Sequence, residues 1–466
     1  WDSIYHTARH SRERGNPAPF LLTLLDSRFR GNDEAPAQDR RIAMSATFER
    51  GYNAFKEVLD APIASFFSSC VHCGLCAEAC LFYTETGDPK YTPIHKLEPL
   101  RRAWQQEYTL LGKLSKLVGL AKPVTDAELA EWGPLVYDSC TLCGRCSMVC
   151  PVGNDIAYMV RKMREGMTAA GHAPEGLVTA TKRAIQSGSP AGVKWVTVEA
   201  TIKRVQKEFG FEVPVNQENT DYLVLMSSWE ILNFPEYLGA VGRILNQAGA
   251  TWTLAQDAYE ATNSGIQIGA SELARELVGR IVGAAERLKA KCVISPECGH
   301  AYTAIRWEGP NLMGRPFGFE VKHILEVLDD LRKAGKLKLK GTLDKPLTYH
   351  DPCQISRRGG VYEQPRTLLN QLAPQFREMT DSGVMNWCCG GGGGVSANER
   401  AEELRFTVFK RKKAQIEELD VKTMVTACAN CRVVMEEALE HYHMDINMLG
   451  LTELVAEHLD EGKPNE

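Results

Sequence analysis

Two stretches of the chain carry the same cysteine spacing, and each leaves a short loop little choice of conformation. "CVHCGLCAEAC" places thiols at Cys70, Cys73, Cys76 and Cys80, and "CTLCGRCSMVCP" places them at Cys140, Cys143, Cys146 and Cys150, with Pro151 following. Both read C-x2-C-x2-C-x3-C. Three thiolates this close wrap one [4Fe–4S] cubane on a tight turn, and the fourth, at the start of a helix, reaches the other cluster of the pair. The expected ligand sets are therefore crossed. Cys70, Cys73, Cys76 and Cys150 surround one cubane, and Cys140, Cys143, Cys146 and Cys80 the second. Gly74 and Gly144 let backbone N–H groups approach sulfide. Two zinc sites are the alternative, although zinc prefers paired C-x2-C knuckles. His72, beside a ligand, reads as solvated, and the first run ends on Leu81 where the second has proline.

The spacing is that of bacterial two-cluster ferredoxins, but residues 81–139 between the runs are too many for a compact one. They include "KLEPLRRAWQQEYTLLGKLSKLVGLA" and "TDAELAEWGPLVYDSC". Both space apolar residues three and four apart, as amphipathic helices do, and Thr125 or Asp126 could cap the second. Residues 44–215 are thus expected to form a helical domain with two cubanes that passes single electrons.

After Pro214 the pattern alternates between strand and helix, predicting α/β architecture. "DYLVLMS", "TWTLAQ" and "KCVISPECGHAY" are strand-like, with "EYLGAVGRILNQAG" and "SELARELVGRIVGAAERLKA" helical between them. The last third follows the same plan. "KPLTYHDPC" is a strand, "PRTLLNQLAP" parallels "VGRILNQAGA", and "TMVTACANC" parallels "KCVISPEC". Two related modules are expected at 216–345 and 346–466. The fold class is then α+β and multidomain: a helical two-cluster domain followed by two α/β cysteine-rich modules.

The modules differ in their cysteines. The second holds Cys353, the pair Cys388–Cys389 in "NWCCGGGGGV", and then Cys428 and Cys431. In the first, the double-cysteine position falls near Ala261 and Thr262, Ser295 stands at the place of Cys428, and Cys298 is paired with Cys431. Five thiolates exceed the needs of one zinc or one cubane. They suit an enlarged or open iron–sulfur cluster, with Gly390 to Gly394 baring the backbone beside it. A structural zinc site, and a flexible linker for the glycine run, are the alternatives.

Other residues carry weaker signals. Cys292 reads as core. Cys298 reads as a ligand or redox thiol, and His300 as a proton donor or a plain hydrogen-bonded histidine. His350 and Asp351 read as strand-end packing or as groups orienting Cys353. The basic residues of "FKRKKAQ" (409–415) read as a solvated helix face.

With 15 cysteines and no export signal, the chain is expected in a reducing cytoplasm, where such thiols mean metal or redox chemistry. A net charge of −5 argues against nucleic acid as a partner. No G-x-G-x-x-G sits between a strand and a helix, so no flavin or NAD site is expected. No apolar run is long enough to span a bilayer. Residues 1–43 begin at Trp1, not methionine, and their apolar part (19–25) is too short for a signal peptide. They are expected to be an irregular, non-native extension, with Met44 the better start.

The pattern Cys353…Cys388–Cys389–Gly390…Cys428-x2-Cys431 resembles the cysteine-rich "CCG" domain of heterodisulfide reductases. Fused to two ferredoxin runs, it resembles the D subunit of those enzymes. Relatives of that type include the iron–sulfur subunits of glycolate oxidase, lactate-utilisation and anaerobic glycerol-3-phosphate dehydrogenase systems. "GDPKYTPIHKLEPLRR", "SPECGHAY", "HDPCQISRRGG" and "NWCCGGGGG" look like the K subunit of the Dsr membrane complex linked to dissimilatory sulfite reductase. The resemblance implies a subunit on the inner face of the cell membrane, held by a haem b, quinone-reactive partner alongside other subunits of the complex. It implies that Cys353, Cys388, Cys389, Cys428 and Cys431 bind a special, non-cubane type of cluster that is also the catalytic set, with Cys298 and His300 as further candidates. That cluster would reduce or oxidise a disulfide or trisulfide of a small sulfur-carrier protein, holding the half-cleaved sulfur between two single-electron deliveries. Two other functions compete: an electron-transfer subunit for a flavin-linked glycolate, lactate or glycerol-3-phosphate dehydrogenase, and a zinc-stapled scaffold.

Overall fold

The computed structural model describes residues 49–460, apart from 50, 51, 54, 58 and 123. The expected N-terminal extension, 1–43, lies outside the described residues.

The first part is helical. The stretch expected to be one amphipathic helix is two, Glu98–Tyr108 and Leu110–Leu117. They break at Thr109, whose Oγ1 caps the second helix by accepting Gly112 N–H at 3.0 Å. Thr125 caps the helix Asp126–Tyr137, accepting Glu128 N–H. Helix Ile156–Ala169 begins at Asp155 and sinks Met159, Val160, Met163 and Met167 into a core shared with Leu100, Leu129, Val136 and Leu142.

Two wholly parallel sheets follow. β1 (Tyr222–Val224), β2 (Trp252–Thr253), β3 (Cys292–Ser295) and β4 (Glu320–His323) stand in the order β2-β1-β3-β4. β5 (Leu347–His350), β6 (Thr423–Thr426) and β7 (Asn447–Gly450) stand in the order β5-β6-β7. Parallel sheets need helical crossovers, and the helices expected here form them: Glu236–Gln247, Ser271–Arg287, Glu363–Leu372 and Glu402–Glu417. The edge strands β4 and β7 were not expected. Each has only two buried residues in four, too weak an alternation to read.

The carboxyl ends of the two sheets meet. Glu297, just past β3, accepts hydrogen bonds from Thr452 N–H and Oγ1 at 2.9 and 2.7 Å, at the start of the helix after β7. Its own carbonyl accepts Ala429 N–H at 2.8 Å, just past β6. One apolar core runs through both sheets and takes in Cys353, Cys388, Cys389, Cys428 and Cys431. In open parallel sheets the strand carboxyl ends are where ligands bind, so the chain brings two such ends to one place.

Candidate metal centres and their access cleft

The two four-cysteine runs fold alike. His72 and Leu142, third in their runs, have φ of 54° and 56°, and Gly74 and Gly144 have φ of 82° and 77°. These left-handed steps curl each loop inward before a four-residue helix, Leu75–Glu78 or Arg145–Met148. Cys80 begins helix Leu81–Thr86 as expected, but Cys150 does not begin a helix: Pro151 and a turn intervene, and the next helix starts at Ile156. A cavity of about 260 Å³ is lined by Cys70, Cys73, Cys76 and Cys150. A smaller one, about 40 Å³, is lined by Cys80, Cys140, Cys143 and Cys146. The fourth cysteine of each run thus faces the other run's loop. Burial and the charges of Cys70, Cys73 and Cys150 push the Cys76 thiol up to about 11. Thiols so placed ionise readily only beside a cation, which is what iron supplies.

The five cysteines of the last module also converge. Cys353 and Cys388 sulfurs lie 3.9 Å apart. Cys143 of the second run acts on Cys388, Cys388 and Cys431 act on Cys389, and Cys431 acts on Cys428. The neighbouring thiols hold Cys388, Cys389 and Cys428 below their ordinary values and push Cys353 and Cys431 well above theirs. All are buried and none is disulfide-bonded. A buried set of sulfurs sharing protons in this way fits a polynuclear iron–sulfur group, which would take every thiol as thiolate.

The glycine run is a packed loop, not a linker. Gly390 to Gly394 are buried, and Gly390, Gly393 and Gly394 have φ of 90°, 62° and 87°. A Cβ on Gly393 would lie 2.7 Å from the backbone carbon of Thr141. The loop is wedged against the second four-cysteine run. Arg164, fully buried, clamps that junction, donating to Cys140 O at 2.7 Å and to Gly393 O at 2.6 Å. Gln354 donates to Leu142 O at 2.7 Å, and Arg357 to Cys143 O at 3.0 Å. The residues around Cys353 therefore hold the second run directly against the five-cysteine site.

One basic side chain sits differently from its sequence reading, and two residues before Cys353 find their neighbours. Lys412 is buried, not on a solvated face. Its Nζ donates to Gln415 Oε1 at 2.7 Å, and burial pushes its pKa down to about 8 against the pull of Asp351, Cys388, Cys389 and Cys431. The signal was its place on the inward stripe of helix Glu402–Glu417 with Arg405, Val408, Phe409 and Ile416, which polar residues disguise. Asp351 is tied to the segment ahead of Cys388. It is paired with Arg366 at 2.8 Å and accepts Gly383 N–H at 2.7 Å, fixing the loop that leads to Cys388. A ring nitrogen of His350, Cys389 Sγ and Cys431 Sγ lie within 4.8 Å of one another.

Cys292 is a buried strand residue, as expected. Cys298 starts a helix just past β3 with φ −140° and ψ 103°, as Cys428 does just past β6 with −149° and 110°. In position Cys298 therefore matches Cys428, not Cys431. Burial and the nearby Cys428 push its thiol up. His300 accepts Gly393 N–H on Nε2 at 3.1 Å and is held neutral, pushed down to about 4 by burial and by Arg164 and Arg358. A cleft of about 920 Å³ is lined by Cys298, His300, Cys428 and Gly391 to Gly394, and also by Trp229, Arg183 and Arg400.

Residues 67–154 match the 4Fe-4S dicluster domain family and residues 347–436 the cysteine-rich CCG domain family. The chain is thus an iron–sulfur protein that joins a dicluster domain to a CCG domain. It is homologous to heterodisulfide reductase-type oxidoreductase subunits. It is 27% identical over 455 residues to the Hdr-like menaquinol oxidoreductase iron-sulfur subunit of Archaeoglobus profundus, covering 86% of this chain and 81% of that one. It is 28% identical over 404 residues to the D subunit of the dihydromethanophenazine:CoB–CoM heterodisulfide reductase of Methanosarcina barkeri, covering 84% and 93%. The EtfAB:quinone oxidoreductase of Syntrophomonas wolfei is 28% identical over 414 residues, covering 83% of this chain and 56% of that one. Among the described residues no helix is long and apolar enough to cross a membrane.

Proposed function

We propose that this chain is the iron–sulfur redox subunit of a membrane-associated complex. It relays electrons between a haem b, quinone-reactive membrane partner and a special cluster held by Cys353, Cys388, Cys389, Cys428 and Cys431. Its substrate is a disulfide or trisulfide on a small sulfur-carrier protein of dissimilatory sulfur metabolism, as for the K subunit of the Dsr complex. The crossed cysteine sets hold the two cubanes of the relay. The equivalent placing of Cys298 and Cys428 supports reading 216–345 as a degenerate copy of 346–466, with 44–215 the two-cubane domain.

The cleft carries this reading. A pure relay has no use for an opening of about 920 Å³ that leads to Cys428 and the glycine run. Cleavage of R–S–S–R′ consumes two electrons and two protons and yields RSH and R′SH. The cluster supplies the electrons. The bare backbone of Gly391 to Gly394 leaves room for the incoming sulfur. Cys298 holds a proton on Sγ beside Cys428, and His300 fixes the loop through Gly393.

The membrane partner finds support in exposed leucines of the helical domain. Leu110, Leu111, Leu117 and Leu120 are each at least 80% exposed, with Lys113 and Lys116 among them. Val71 and Leu75, beside the first run, are also exposed. Exposed apolar clusters of this kind mark interaction surfaces.

A second reading, an electron-transfer subunit for a flavin-linked dehydrogenase, is favoured by the likeness to EtfAB:quinone oxidoreductase. One anaerobic experiment separates the two. Protein reduced with reduced methyl viologen is mixed with glutathione trisulfide. The proposal expects thiol and persulfide released as two electrons are consumed, and no release in Cys428→Ser. Absence of sulfur release, together with quinone reduction from reduced electron-transferring flavoprotein, would support the relay instead.

A further inference from the structure

His350 ends β5 and is fully buried. Neither of its ring nitrogens has a hydrogen-bond partner. A neutral imidazole carries one donor and one acceptor, and orphaning a buried polar group costs about 1–3 kcal/mol. The other buried histidine among the described residues, His323, accepts Leu325 N–H on Nδ1 at 3.2 Å. His350 has no such use. Its backbone is already committed, since its carbonyl accepts Thr426 Oγ1 at 3.1 Å and β5 pairs with β6. What the ring faces is sulfur: a ring nitrogen lies with Cys389 Sγ and Cys431 Sγ inside one 4.8 Å triangle.

We infer that His350 is a sixth protein ligand of the five-cysteine cluster, with one ring nitrogen bound to iron at the Cys389–Cys431 edge and the proton kept on the other. The inference rests on the proposed cluster at that site. Imidazole is a good iron ligand, and binding uses a lone pair that nothing else in the core satisfies. The ligand set becomes mixed, five thiolates and one neutral nitrogen. Replacing thiolate by imidazole on iron raises a cluster's reduction potential, as in Rieske centres. His350 would therefore make this cluster a better electron acceptor than an all-thiolate one, which suits the end of a relay.

The test is pulsed EPR of the full-length, oxidised protein with histidine labelled by nitrogen-15. The expected result is a strongly coupled nitrogen signal that changes with the label and is absent from His350→Cys, while that variant keeps its iron and shows a lower potential. Labelling the unaltered protein makes the test independent of whether a variant folds. A paramagnetic cluster with only weak couplings, indifferent to the label, would overturn the inference and leave the proposed function standing. Iron and sulfide no greater than two cubanes hold, with no third signal, would overturn both.

Discussion

Cys388 Sγ and Thr141 Oγ1 are hydrogen-bonded at 3.3 Å, across 247 residues of sequence. Thr141 lies inside the second four-cysteine run and Cys388 in the double-cysteine loop, so the two redox sites share a hydrogen-bonded boundary. Removing the hydroxyl should weaken that coupling without unseating either cluster. Thr141→Val is expected to keep its full iron content and to pass electrons from the second cubane to the third site several-fold more slowly, as read by rapid-freeze EPR.

Gly393 has φ of 62° and its missing Cβ faces the Thr141 backbone at under 3 Å. Gly393→Ala must move one loop or the other, at about 1–3 kcal/mol. The expected outcome is loss of iron from the five-cysteine site with both cubanes retained, measured by iron analysis and by EPR of the reduced protein.

Crossed ligation has its own signature. Cys150 lines the cavity of the first run and Cys80 that of the second. Cys150→Ser should therefore alter the spectrum and potential of the cubane bound by the Cys70 loop, and Cys80→Ser those of the cubane bound by the Cys140 loop. Paired with Cys73→Ser and Cys143→Ser, each variant should match the member of the other run. Matches within one run would mean local ligation.

Glu260 offers a check on the first sheet. Burial pushes its carboxyl up to about 7, although Ser228 N–H, Ser228 Oγ and Thr262 N–H all donate to it. Its unfolded value is about 4.3. Between these the native state holds a proton that the unfolded chain has released, so this contribution to stability is full below about pH 4 and is lost as pH rises to about 7. Glu260→Gln should flatten that slope in denaturant melts of the anaerobic protein.

Much of this arrangement was legible in the sequence because metal ligation leaves rigid spacings. Both four-cysteine loops and the convergence of Cys353, Cys388, Cys389, Cys428 and Cys431 follow from them. Strands β1, β3, β5 and β6 were legible as apolar runs, because buried parallel strands are apolar on both faces. β4 and β7, half-exposed at the edges, gave no such run. Lys412 was hidden because helix Glu402–Glu417 turns polar residues inward. The nearness of His350 to Cys389 and Cys431 was hidden because those sulfurs come from the double-cysteine loop and from the helix after β6, and only folding brings them together. Cys298 pairs with a different cysteine than chain counting suggests, because counting cannot see which residue starts a helix.

The most direct test is EPR of the anaerobically purified, oxidised protein before and after adding a thiol, with Cys388→Ser alongside. Cubanes cycling between their +2 and +1 states carry no net spin when oxidised. A paramagnetic oxidised signal that shifts with thiol and is absent from Cys388→Ser is the predicted result, and it would place a substrate-binding cluster at the double-cysteine loop. An oxidised protein that is silent, or whose signal ignores both thiol and the substitution, would contradict sulfur chemistry at this site.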